Sequence, residues 1–113
     1  MNIDESQIYD IHADLCKAIA NRTRLMMVAL LADREMSVGE MVKRLGISVT
    51  NASQHLRILR NNHIVHTRRE GQTVFYSLTD ARLPKACALI RSILLDDMRK
   101  RNEIARKVGK EKK

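Results

Sequence analysis

The sequence predicts a mainly α-helical domain with a small β-hairpin, in the winged helix-turn-helix order ααααββα. Three observations lead there. Aromatic residues make up 3% of the chain against 44% apolar residues in all, so the core must be built from Leu, Ile, Val, Met and Ala, which favours helices. The stretch from Glu40 to Leu78 reads as helix, glycine turn, second helix and hairpin. Between Glu40 and Glu70 there is no acidic side chain, while Lys43, Arg44, Arg57, Arg60, Arg68, Arg69 and three histidines are present. A field of one sign over a contiguous quarter of a small chain points to a polyanionic partner.

The first helix is expected from about Glu5 to Ala20, where Ile8, Ile11, Leu15, Ala18 and Ile19 recur at helical spacing. Asn21 interrupts it and caps a second helix, from about Arg22 to Ala32, whose Leu25, Met26, Val28, Ala29 and Leu31 are apolar on most sides and predict burial. Ser37 caps a third helix with Glu40 at the capping-box spacing; Val38, Met41, Val42 and Leu45 form its inner stripe and Gly46 ends it. Ser48 caps a fourth, with Val49, Ala52, Leu56 and Leu59 as the inner stripe. At about 100° per residue that stripe points Thr50, Gln54 and Arg57 outward and sets Asn51 and Ser53 on the shoulders.

Ile64 to Arg69 and Thr73 to Leu78 are β-branched or aromatic-rich segments joined around Glu70, Gly71 and Gln72, a hairpin with Arg68 and Arg69 at its tip. Pro84 suits the first turn of a last helix, where its missing N–H costs nothing. Leu83, Cys87, Ile90 and Leu94, joined by Ala86, Ile93 and Met98, carry an apolar seam along it. A small domain has little core left for such a helix to cover, so this seam and that of the first helix are the expected homodimer interface. Residues 1–98 are thus read as one winged-helix DNA-binding and dimerisation domain, and 99–113 as the basic end of the last helix and a solvated tail.

The tail holds eight basic and two acidic residues, a net of +6 out of +8 for the chain. The first fourteen residues hold four acids and no Lys or Arg, so that end should face away from nucleic acid. No apolar run approaches the roughly 18 residues of a membrane span, and the acidic start lacks the positive region of a secretory signal. A cytoplasmic protein without a membrane partner is expected, with Cys16 and Cys87 as free thiols. No phosphate-cradling glycine loop, nucleophile set or paired buried carboxylates suggests an enzyme. The outward face of the fourth helix offers hydroxyl, amide and guanidinium groups and no acid, which suits base edges and phosphates of double-stranded DNA. A winged-helix protein-interaction scaffold is the rival from another class, and an acid-free face argues against it.

With these residues in place, the chain resembles the ArsR/SmtB family of small winged-helix repressors. LCKAIANRTRLMMVALL is similar to the family's Ala-rich turn followed by Asn, a variable pair and Arg-Leu; EMSVGEMVKRLGISVTNASQHLRILRNNHIV resembles its helix-turn-helix, and HTRREGQTVFYSLTD its wing. The resemblance covers residues from about 10 to 98. It implies a homodimer on a palindromic operator, one recognition helix per half-site. Ser48, Thr50, Asn51, Ser53, Gln54 and Arg57 become the DNA-binding residues, with Arg68, Arg69 and Gln72 from the wing.

The family's metal sites are not inherited. Where its third helix carries cysteines flanking a Val, this chain has Ser37, Val38 and Gly39; where its last helix carries an Asp-His and His-Glu or His-His set, this chain has Asp80, Arg82, Ile93 and Asp96. The first set offers no thiolate, and Arg82 and Ile93 in the second cannot ligate zinc, so no metal and no cofactor are expected. The signal that releases such a repressor is open. His12 and Cys16 share one side of the first helix and Cys87 lies on the seam of the last, so reversible thiol oxidation or a polysulfide link at Cys16 and Cys87, a soft metal or metalloid, and two buried cysteines with no chemistry all remain. His55, His63 and His66 are too scattered for a ligand set and are expected at the surface or near phosphates.

Overall fold

A computed structural model describes residues 4–111. Its elements run α1 (Glu5–Ile19), α2 (Arg22–Leu31), β1 (Met36–Ser37), α3 (Val38–Leu45), α4 (Val49–Asn61), β2 (Val65–Glu70), β3 (Thr73–Leu78) and α5 (Arg82–Glu111). The predicted order holds, with one addition. Met36 and Ser37 pair with Tyr76 and Phe75, giving an antiparallel three-stranded sheet of order β1-β3-β2 rather than a bare hairpin.

Helix starts are set by side chains that take up orphan backbone N–H groups. Asp4 accepts from the Gln7 N–H at 3.1 Å and Gln7 returns the bond at 3.0 Å. Asn21 accepts from the Arg24 N–H at 3.1 Å. Ser37 and Glu40 form the expected capping box over α3, and Glu40 also pairs with Arg34 at 2.7 Å. Ser48 accepts from the Asn51 N–H at 3.0 Å. The end of α3 is Gly46 at φ 67, a left-handed residue that only glycine adopts without strain, and its N–H closes on the Val42 carbonyl at 2.9 Å.

The end of α4 was not foreseen. His63 takes φ 58; its N–H donates to the Arg60 carbonyl and that of Ile64 to the Leu59 carbonyl, both at 3.0 Å. These two bonds make a Schellman closure with a histidine where glycine is usual, and the buried pair Leu59 and Ile64 supplies its apolar contact.

Two units make up the chain, residues up to Ala81 and the helix that begins at Arg82. The core of the first unit is Met27, Val28 and Leu31 of α2, Met36, Met41 of α3, Ala52, Leu56 and Leu59 of α4, with Ile64 and Val65 under the wing. The second helix is less buried than its pattern predicts: Leu25, Met26 and Ala29 are exposed, while Met27, Val28 and Leu31 are buried. The hairpin turn is Gly71-Gln72 between the paired ends Glu70 and Thr73, with Gly71 at φ 60 as the first residue of a type II′ turn requires.

In the second unit, α5 stays helical to Glu111, through the basic end of the chain as far as it is described. Its seam is largely open: Ile90, Ile93, Leu94, Met98, Ile104 and Val108 are exposed, whereas Cys87 is buried. Ion pairs Arg101–Asp97 at 3.0 Å and Arg99–Asp96 at 3.4 Å run along it. Among the described residues no helix is long and apolar enough to cross a membrane.

Candidate nucleic-acid interface

The fourth helix buries one side and offers the other. Ala52, Leu56 and Leu59 have no accessible surface, while Ser48, Thr50, Asn51, Ser53, Gln54 and Arg57 are all exposed. No acidic residue lies in its first turn, where the helix dipole would favour one. Every one of the expected fourth-helix residues is therefore gathered on a single open surface. Lys43 and Arg44, in the last turn of α3, are exposed as well. Arg57 makes no ion pair among the described residues, so its guanidinium is available to an external anion.

Val49 departs from its expected place. The wheel sets it in the inner stripe, yet it is 58% exposed, because it occupies the first turn of α4 beyond the reach of the core. An uncovered β-branched residue at a helix start gains nothing from propensity or from burial. The periodic pattern alone could not reveal it, since the end of a helix overhangs its neighbours in a way that a wheel does not record.

The wing separates its two arginines. The sequence places Arg68 with Arg69 at the tip, but it reaches from β2 across Phe75 on β3, its guanidinium carbon 4.8 Å from the ring centre, to Glu35 just before β1. There Nη2 donates to Oε1 at 2.6 Å and Nε to Oε2 at 3.3 Å, while Nη1 donates to Glu70 at 2.9 Å. A two-pronged pair to one carboxylate is the strongest form of such contact. The Arg68 hydrogen bonds hold the Glu35 carboxyl below the usual carboxylate range, and those carboxylates push Arg68 up in turn. Arg68 thus braces the three-stranded sheet. Arg69 and Gln72 are exposed, and Arg69 carries no ion pair among the described residues.

Of the three histidines between Glu40 and Glu70, His63 and His66 are exposed as expected and His55 is not. His66 shares a 2.9 Å hydrogen bond with Ser77 across the wing, and His63 closes α4. His55 is half-buried, with Nδ1 at 3.1 Å from Nη1 of Arg24. Of the cysteines, Cys16 is exposed and Cys87 buried. Among the described residues no three His, Cys, Asp or Glu side chains gather as a metal site.

A three-helix core bearing an acid-free, exposed helix face and a braced two-strand wing defines a winged helix-turn-helix regulator. Known proteins bear this out. The family model of bacterial regulatory proteins of the arsR family matches residues 21–67. The transcriptional activator HlyU of Vibrio cholerae is 40% identical over 82% of this chain and 87% of its own length. A biofilm growth-associated repressor of Xylella fastidiosa is 41% identical over 72% of this chain and 68% of its own. The solved structure of Vibrio cholerae HlyU superposes with a TM-score of 0.70 at 37% identity, covering 80% of this chain and 97% of that one. A homodimeric winged helix-turn-helix DNA-binding domain from Mycobacterium bovis, described as a possible ArsR-family regulator, superposes at 0.75 with 28% identity, covering 87% and 91%. The chain belongs to the ArsR family of bacterial regulatory proteins; it is a transcriptional regulator and not an enzyme.

Proposed function

We propose that this regulator reads double-stranded DNA with the open face of α4, and acts in the cytoplasm as a homodimeric repressor on a palindromic operator. The observation that carries it is the exposure of Ser48, Thr50, Asn51, Ser53, Gln54 and Arg57 on one acid-free surface whose opposite side is fully buried. Within this reading the amides and hydroxyls meet base edges, Val49 meets a thymine methyl, and Arg57 meets a phosphate or a guanine. Arg69 and Gln72 take the neighbouring backbone, and Arg68 keeps the wing in place for them. The exposed seam of α5 and the exposed Ile8, Tyr9 and Ile11 of α1 supply the apolar surface of a dimer, in keeping with the homodimeric domain named above. A dimer presents two α4 faces related by a twofold axis, which is the symmetry of a palindrome.

For the releasing signal we favour thiol chemistry that starts at Cys16, because it is the exposed cysteine; joining it to Cys87 as a disulfide gives up two protons and two electrons to an external oxidant such as a polysulfide. The test of the DNA reading is salt. Affinity for duplex DNA should fall about 10³-fold or more between roughly 50 and 200 mM salt if several phosphates are contacted. Salt-independent or absent binding would transfer the fold to the scaffold role.

A further inference from the structure

Arg24 joins three helices from a single position in α2. Its N–H is capped by Asn21, its Nε donates to the carbonyl of Ala18 in the last turn of α1 at 2.5 Å, and its Nη1 lies 3.1 Å from Nδ1 of His55 in the middle of α4. A guanidinium has donors alone, so Nδ1 must be the acceptor and the imidazole must be neutral, with its proton on Nε2. His55 lies on the same helix as the readers, directly after Gln54 and two residues before Arg57.

We propose that Arg24 and His55 are positioning residues that fix the seating of the α4 reading face on the end of α1, so that protonating His55 loosens DNA binding. This rests on the DNA reading above. Burial and the charge of Arg24 both push the His55 pKa below its ordinary value, so the acceptor form is the resting one near neutral pH. Along α4 the residues one turn from His55, namely Asn51, Ala52, Ile58 and Leu59, carry no charge, and Arg57 lies two positions further on. From the elements packed against it, Arg24 is the charged group whose field reaches it among the described residues. A proton on His55 would set two cations at hydrogen-bond distance and remove the acceptor.

The sign of the effect separates this from general electrostatics. Positive charge added to a DNA-binding surface would by itself strengthen attraction to a polyanion. The Arg24–His55 link predicts a loss.

The experiment compares wild type with His55→Gln, which keeps an acceptor oxygen and cannot titrate, on a mixed-sequence duplex of about 30 base pairs. Between about pH 7.5 and pH 5.5 wild-type affinity should fall at least threefold relative to His55→Gln. Arg24→Lys keeps the charge but lacks the fork that serves Ala18 and His55 together; it should bind about tenfold more weakly at the higher pH while melting within a few degrees of wild type. Superimposed pH curves, or an Arg24→Lys protein that binds like wild type, would overturn the positioning role in a protein that still binds DNA. If wild type shows no salt-dependent DNA binding at all, the reading itself fails and this inference with it.

Discussion

The fourth and fifth helices carry the same kind of pattern and meet opposite fates. Each has an apolar stripe at helical spacing with polar groups between. In α4 the stripe closes from Ala52 onward, with Leu56 and Leu59 at 0% exposure; in α5 Ile90 and Leu94 remain 55% and 56% exposed. Periodicity tells which side of a helix seeks cover, and nothing in it says whether the cover comes from the same chain. What α4 leaves in water is mainly hydroxyl, amide and guanidinium; α5 leaves a run of aliphatic side chains in water among its charges. The first kind of surface suits a wet, charged partner, the second a dry one.

The largest effect should come from truncating the two stripes in parallel. Leu56→Ala empties space in a closed core and should cost about 2–5 kcal/mol in urea or thermal melts. Leu94→Glu, on a surface already in water, should change the stability of dilute protein by no more than about 0.5 kcal/mol. In sedimentation, however, it should weaken self-association by about 100-fold or more, because a carboxylate would be carried into an apolar interface. If Leu94→Glu unfolds the protein as Leu56→Ala does, the contrast between the helices is wrong.

This contrast also marks what the sequence could reveal. The caps at Asn21, Ser37 and Ser48, the Gly46 stop and the wing turn are decided within four residues and were legible. So was the polar face of α4, because its stripe is closed by residues of the first unit. The second strand partner of β3 was not: Met36–Ser37 is too short for any alternation and exists by pairing with Tyr76 and Phe75. Arg68 was misplaced for the same reason, since its partner Glu35 is 33 residues away, and the Arg24–His55 contact spans 31. Side-chain bonds of that separation leave no local pattern. His63 carried a signal of another kind, a basic residue after Asn61-Asn62, but histidine is an uncommon choice for the left-handed position.

The exposed side of α4 should itself divide into readers and clamps. Gln54→Ala should cost about 1–3 kcal/mol on a preferred sequence and flatten the preference among sequences. Arg69→Ala should weaken every duplex alike and lower the salt slope by about one. Binding to a randomised pool, sequenced before and after selection, separates the two outcomes. Uniform loss in both variants would reduce α4 to a phosphate-binding surface.

Val49 is, with the less exposed Ile58, where α4 behaves like α5, an aliphatic side chain left in water, and so it sharpens the comparison most finely. At 58% exposure in the first turn it cannot be serving the core, and an acid there would serve the helix better. A recognition helix enters the major groove with its N-terminal residues toward the bases, and the thymine methyl is the apolar feature of that groove. Burying one methyl against Val49 is worth about 0.8 kcal/mol, or roughly fourfold in affinity. Replacing thymines one at a time by deoxyuridine in a selected duplex removes that methyl and little else. A replacement in one half-site should therefore cost wild type about fourfold and cost Val49→Ala nothing. An equal loss in both proteins, or no loss in either, would mean that Val49 is merely uncovered; its exposure would then belong with that of α5, as surface waiting for another protein rather than for a base.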